Sequence, residues 1–221
     1  MTGASRYRLQ GVIASAGFAS GDRVVVGHWP VSPLGPMDDV MWATAGGERV
    51  LLAPDEAVAA FVTAVYRFDR VEVVPFAVAA SATVLDLSAG PLALRLEAGR
   101  GWRLPLPRRR PPWFTARVEA PLARLLMGVR THGVSASGVE EWYQALRWRP
   151  LTLASASVDG VDLGALGLLE PPLGVGFSEP PRSPSWVEVR PLLHDPGGTL
   201  SAIVSEARPR PSPTGRRSRG R

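Results

Sequence analysis

The 221-residue chain is 45% hydrophobic and 20% charged, the balance of a globular protein long enough to bury a core without disulfides or metals. It contains no cysteine, and its 25 basic residues are all arginine. This excludes disulfides, thiolate metal sites and cysteine nucleophiles, and equally Schiff-base and pyridoxal chemistry, the P-loop lysine and Ser–Lys hydrolases.

The net charge of +5 belongs to the end of the chain. Six arginines and no acid lie in residues 208–221, which leaves residues 1–207 with 19 arginines against 20 acids, a net of −1. A neutral body does not read as a nucleic-acid-binding fold, and the basic tail adds only salt-sensitive, sequence-independent affinity. The lack of lysine beside abundant Ala, Gly, Arg and Pro matches the codon bias of a GC-rich genome. No stretch has the roughly 18–20 apolar residues of a membrane span. The segment 9–19 is too polar for a secretion signal, so a cytoplasmic protein is expected.

Residues 7–14 and 22–29 read as strands around a Gly/Ser turn. Residues 39–45 and 49–53 flank Gly46-Gly47 and predict a hairpin. The clearest helix follows Pro54. Asp55 and Glu56 suit its positive end, and Val58, Phe61, Val62 and Val65 form one apolar face ending near Tyr66. Strands are predicted over 71–76, 81–87 and 92–97, the last two joined by a turn at Ala89-Gly90-Pro91. Four prolines and three consecutive arginines make 104–112 a crossing loop.

A helix is predicted from Pro121, with Leu122, Leu125, Leu126 and Val129 on one face. Residues 138–148 have two competing readings. Ser137 and Glu140 form a capping box, and Val139, Trp142, Tyr143 and Leu146 follow helical spacing, which favours a helix ending by Arg149. As a strand, the segment would put Trp142, Leu146 and Trp148 on one face. Strands over 151–158 and 186–193 enclose a Gly/Pro-rich loop at 164–185, and 202–204 is a candidate short strand. The sum is α+β: a mainly antiparallel curved sheet or partial β-barrel with two or three packed helices. It forms one domain over 1–207, with a disordered Arg/Pro-rich tail over 208–221.

Three segments hold candidate chemistry. Asp38 and Asp39 open a strand, where adjacent side chains point to opposite faces; either carboxylate is a weak candidate for acid–base work with His132. The run 130–138 gathers Arg130, His132 and Ser135 between glycines and small residues, a composition suited to ligand contacts. Its Ser135 lacks the glycine two positions on that a nucleophile elbow requires. Glu140, Glu141, Trp142 and Tyr143 place two aromatics beside carboxylates, and Trp142 and Tyr143 are read as pocket walls. The histidines at 28, 132 and 194 have no metal-ligand spacing, so neither metal nor cofactor is expected.

The segments S-P-L-G-P-M-D-D-V-M-W, L-L-A-P-D-E, V-Y-R-F-D, G-V-R-T-H-G-V-S and E-E-W-Y together resemble a protein family of GC-rich bacteria that carries no established activity. The resemblance spans most of residues 8–195 and brings no site residues with it. At the level of fold the chain also resembles lipocalin-like or acetoacetate-decarboxylase-like antiparallel β-barrels. The decarboxylase chemistry needs a lysine that this chain lacks.

These readings favour a small-molecule-binding β-barrel-like domain for an apolar or weakly anionic ligand. Arg130, His132 and Ser135 would be its polar contacts. Two alternatives stay open: an Asp/His acid–base isomerase, lyase or hydrolase, and a scaffold or nucleic-acid-associated protein acting through its arginine tail. Oligomeric state is not encoded in any motif.

Overall fold

The computed structural model describes residues 5–104, 132–135, 137–176 and 179–207. The expected crossing loop after Leu104, the helix from Pro121, Arg130 and the 208–221 tail lie outside the described residues. The strands are β1 (Ser5–Arg8), β2 (Gln10–Phe18), β3 (Arg23–Val31), β4 (Met37–Ala43), β5 (Arg49–Ala53), β6 (Arg70–Val73), β7 (Phe76–Ala80), β8 (Val84–Ala89), β9 (Leu92–Ala98), β10 (Trp102–Arg103), β11 (His132–Val134), β12 (Glu140–Trp142), β13 (Ala145–Val158), β14 (Val161–Asp162), β15 (Leu166–Gly167), β16 (Ser185–Val189) and β17 (Leu192–Asp195). Two helices, α1 (Glu56–Thr63) and α2 (Thr199–Ala207), occur among them. Among the described residues no helix is long and apolar enough to cross a membrane.

The main sheet runs β6-β5-β4-β3-β2-β16-β13-β9-β8-β7, with β10, β14 and β15 at its margins. Every pairing is antiparallel except β5 with β6, which are joined through α1. The first and last strands of this order are linked in the chain by only Val74-Pro75. The sheet therefore curls until its edges approach, forming a half-barrel.

The core inside the curl confirms this. Val40 and Trp42 of β4 and Leu52 of β5 share one cluster with Leu85 and Leu87 of β8 and Leu94 and Leu96 of β9, far away in the sheet order. A second core covers the outer face of β2–β5. Val25, Trp29, Met37 and Leu51 meet Val58, Phe61 and Val62 of α1 and Leu200 and Val204 of α2 there. A four-stranded sheet, β1-β17-β12-β11, closes this side. The strand β3 is consequently buried on both faces from Arg23 to Gly27, with Val24, Val25 and Val26 in an unbroken run. By contrast β9, covered on one face only, alternates buried Leu92, Leu94 and Leu96 with exposed Ala93 and Arg95.

Several local features follow the sequence. Asp55 caps α1 by accepting the Val58 N–H at 2.8 Å. The β4–β5 hairpin turns at Gly47, whose φ of +88° favours glycine. Others depart from it. The run expected over 71–76 breaks at Val74-Pro75 into β6 and β7, and that expected over 186–193 breaks at Arg190-Pro191 into β16 and β17. Residues 202–204 belong to the helix α2 and not to a strand.

The favoured helix over 138–148 is also overturned: the segment forms β12 and the start of β13. Gly138 has a φ of +82°, outside the helical region, and the Ser137 hydroxyl donates to the Ala64 carbonyl at the end of α1 instead of capping its own segment. Buried Val139 and Glu141 then alternate with half-exposed Glu140 and Trp142. Ladder partners on both sides outweigh the local helical preference here: β17 and β11 for β12, β16 and β10 for β13. Pro150 falls where β13 passes from β10 to β9 on one edge and its pairing with β16 ends on the other. Such an irregular point tolerates the missing N–H.

Candidate functional site

A cavity of about 220 Å³ lies between the outer face of β2, β3, β4 and β16 and the α1 side of the second core. That is several times the share of one water molecule, about 30 Å³ in the liquid. The strand pleat selects its lining. Val25, Gly27 and Trp29 of β3 and Met37, Asp39 and Met41 of β4 face it, while Val24, Val26, Val40 and Trp42 point into the half-barrel. Phe61, Val62 and Val65 come from α1, Glu141 from β12, Tyr143 from the link to β13, and Trp148 from β13 itself. Leu173, Val175 and the half-exposed Glu179 and Pro180 come from the loop before β16.

Two carboxyl groups stand in this apolar setting, each only 3% exposed. Asp39 faces Gly27 directly across the β3–β4 ladder, and the Trp29 indole donates to its Oδ1 at 2.9 Å. Glycine is required opposite: a Cβ on Gly27 would sit 2.4 Å from both Asp39 Oδ1 and Trp29 Nε1. Burial pushes the Asp39 carboxyl up to about 7; the Trp29 bond opposes the rise and the charge of Asp38 adds to it. Glu141 is pushed up to about 7 as well, again mainly by burial, against hydrogen bonds from Tyr66 and Tyr143. Burial and the neighbouring Glu141 charge raise both tyrosines well above their ordinary range, and Asp39 adds to the rise at Tyr143. Both carboxyls thus lie within electrostatic reach of one phenol.

Glu141, Tyr66 and Tyr143 form a triangle. The Tyr66 hydroxyl donates to Glu141 Oε2 at 3.1 Å and lies 2.7 Å from the Tyr143 hydroxyl, which also meets the Glu141 carboxyl. Each phenol has one proton to give. If Tyr66 donates to Glu141, Tyr143 must donate to Tyr66, and the third side lacks a proton unless Glu141 carries it. The triangle is complete when Glu141 is a neutral acid.

The sequence-predicted residues divide. Asp39 and Tyr143 line the cavity. Asp38, on the opposite face as the pleat requires, lies 2.6 Å from His28 Nδ1. His132 and Trp142 stack on each other, ring centroids 5.2 Å apart, in the β11–β12 ladder and outside the cavity. Trp142 is therefore not a wall of it, and Asp39 and His132 are not brought together. Ser135 also lies outside the lining and serves its turn, accepting the Val139 N–H at 3.1 Å and meeting Ser137 at 2.8 Å.

Trp29 and Tyr66 were not singled out by the sequence reading. The signal for Trp29 was the period-two spacing that puts it on the same face of β3 as Gly27, the face shared with Met37 and Asp39 of β4. Tyr66 had none, since it follows the end of α1 and meets Glu141 from 75 positions away. Among the described residues no three acid or histidine side chains gather as a metal site requires. No protein-family model matches the chain, and no curated protein is significantly similar to it.

Proposed function

We propose that this protein binds a small molecule in the cavity between the outer face of the half-barrel and α1. The observation that carries this reading is an apolar cavity of about 220 Å³ with a few polar groups in its lining, among them Asp39, bonded to Trp29, and the Glu141–Tyr66–Tyr143 triangle. Apolar walls with a few placed polar groups are the general form of ligand sites. In this reading the ligand-contact role expected of His132 and Ser135 falls to Asp39, with Tyr143 retained.

The test is a thermal-shift screen of small molecules against the native protein and Val187→Trp, which fills the cavity from β16. Compounds that raise the native melting temperature should leave the variant unmoved. Equal shifts in both proteins would place binding elsewhere.

A second reading is favoured by the two buried carboxyls pushed up to about 7. Groups poised there suit proton transfer near neutral pH. Under this reading Asp39 takes the acid–base role, and the partner is the Glu141 triangle in place of His132. Turnover abolished by Asp39→Asn, with ligand affinity retained, separates this enzyme reading from pure binding.

A further inference from the structure

Among the described residues that line the cavity, acids have no basic side chain beside them. Asp39 and Glu141 line it, and Glu179 stands at its half-exposed side. Neither arginine nor histidine occurs among the described residues that line it, and the chain has no lysine. The charge acting on Asp39 is that of another acid, Asp38, on the opposite face of β4. Arg23 acts on Glu179 alone among these acids. Buried carboxylates are ordinarily matched by a cation from the same protein.

The walls supply the complementary feature. Trp29, Phe61, Tyr66, Tyr143 and Trp148 all contribute to the lining. Aromatic faces beside a carboxylate are the combination by which proteins hold ammonium groups. An anionic ligand would enter against the acids with no counter-charge, and a neutral one would leave Asp39 unmatched whenever it ionised.

The two acids are not equivalent. Glu141 is enclosed in the triangle with Tyr66 and Tyr143, which is complete with its proton in place. Asp39 takes one hydrogen bond, from Trp29, among those described. We propose that the ligand is an organic cation, a primary or quaternary ammonium with an apolar substituent, and that Asp39 is its counter-ion. The proposal rests on the cavity being a ligand site, and it replaces the weakly anionic ligand expected from the sequence.

Three probes of one size test it by calorimetry: 2-phenylethylamine, 2-phenylethanol and phenylacetate. A charge-assisted contact is worth about 1.5–3 kcal/mol, so the amine should bind at least about tenfold more tightly than the alcohol at about pH 8.5. The amine remains protonated across the range used. Its affinity should fall by about tenfold or more on going to about pH 5.5, as Asp39 takes up a proton. The groups that act on Asp39 are Trp29 and, on the opposite face of β4, Asp38, and Asp39 in turn acts on Tyr143; none of these is a cation. Glu179 at the cavity edge is the remaining acid, and Glu179→Gln should leave the pH dependence in place. Asp39→Asn should abolish both the preference and the pH dependence. The pH series on the native protein stands whether or not Asp39→Asn folds.

Alcohol or phenylacetate binding as tightly as the amine, or amine affinity that does not rise with pH, overturns the proposal. If the alcohol binds equally well and Val187→Trp abolishes it, the cavity remains a ligand site and only the cation is lost. If no probe binds the native protein at any pH, both readings fall.

Discussion

The Trp29 indole donates to Asp39 at 2.9 Å directly over Gly27, the residue opposite Asp39 in the ladder. Three residues on two strands are therefore one device, with the missing side chain making room for the bond. Gly27→Ala should break it, at a cost of about 1–3 kcal/mol for a buried acceptor left unpaired. Urea denaturation gives the loss, and near-UV circular dichroism should report the displaced indole. Unchanged stability and an unchanged tryptophan spectrum would contradict the arrangement.

The triangle makes a separate prediction. Hydrogen bonds from Tyr66 and Tyr143 hold Glu141 below the value that burial alone would give. Tyr66→Phe removes one donor to the carboxylate, so Glu141 should titrate higher in the variant than in the native protein. Carboxyl carbon NMR reads this directly. A downward shift would mean that closing the triangle around the neutral acid outweighs donation of the two phenols to the carboxylate.

Both acids also act on stability. Asp39 rises from an ordinary 3.8, and Glu141 from 4.5, to about 7. Between those values the native state holds protons that the unfolded chain has released. Stability contributed by these groups is thus full below about pH 4, falls as pH rises, and levels above about pH 7, with a slope of up to about 1.4 kcal/mol per pH unit for each group. Asp39→Asn should remove one share, so that its stability falls less steeply than the native protein's over this window. Parallel curves in urea denaturation would contradict a buried, neutral Asp39.

Much of the half-barrel was legible because burial there follows the pleat. The alternation of Leu92, Leu94 and Leu96 with exposed neighbours, the Gly46-Gly47 hairpin and the acidic start of α1 at Asp55 and Glu56 are local, and each was readable. The stretch 138–148 was not, because helical and period-two spacing coincide in it and only β10, β11, β16 and β17 decide between them. The site was half legible for the same reason. Asp39 and Tyr143 carry local signals, but that Tyr66 meets Glu141, and that His132 turns to Trp142, are facts of tertiary pairing.

The helix α2 is another case in which context decides. Its Ala202 is exposed and donates its N–H to the Gly198 carbonyl at 3.0 Å. Ala202→Pro removes that bond inside the helix and should cost about 3 kcal/mol or more. Ala202→Ser should cost well under about 1 kcal/mol. Equal melting temperatures for the two variants would contradict a helix that seals Leu200 and Val204 onto the second core.

A ligand held in the cavity beside Asp39 and Glu141 should travel with the protein through a gentle purification. Native mass spectrometry of untagged protein purified gently from its own host tests this most directly, with Val187→Trp prepared in parallel. A reproducible extra mass is expected on the native protein and not on the variant. No extra mass on the native protein, or one that persists in Val187→Trp, would contradict it.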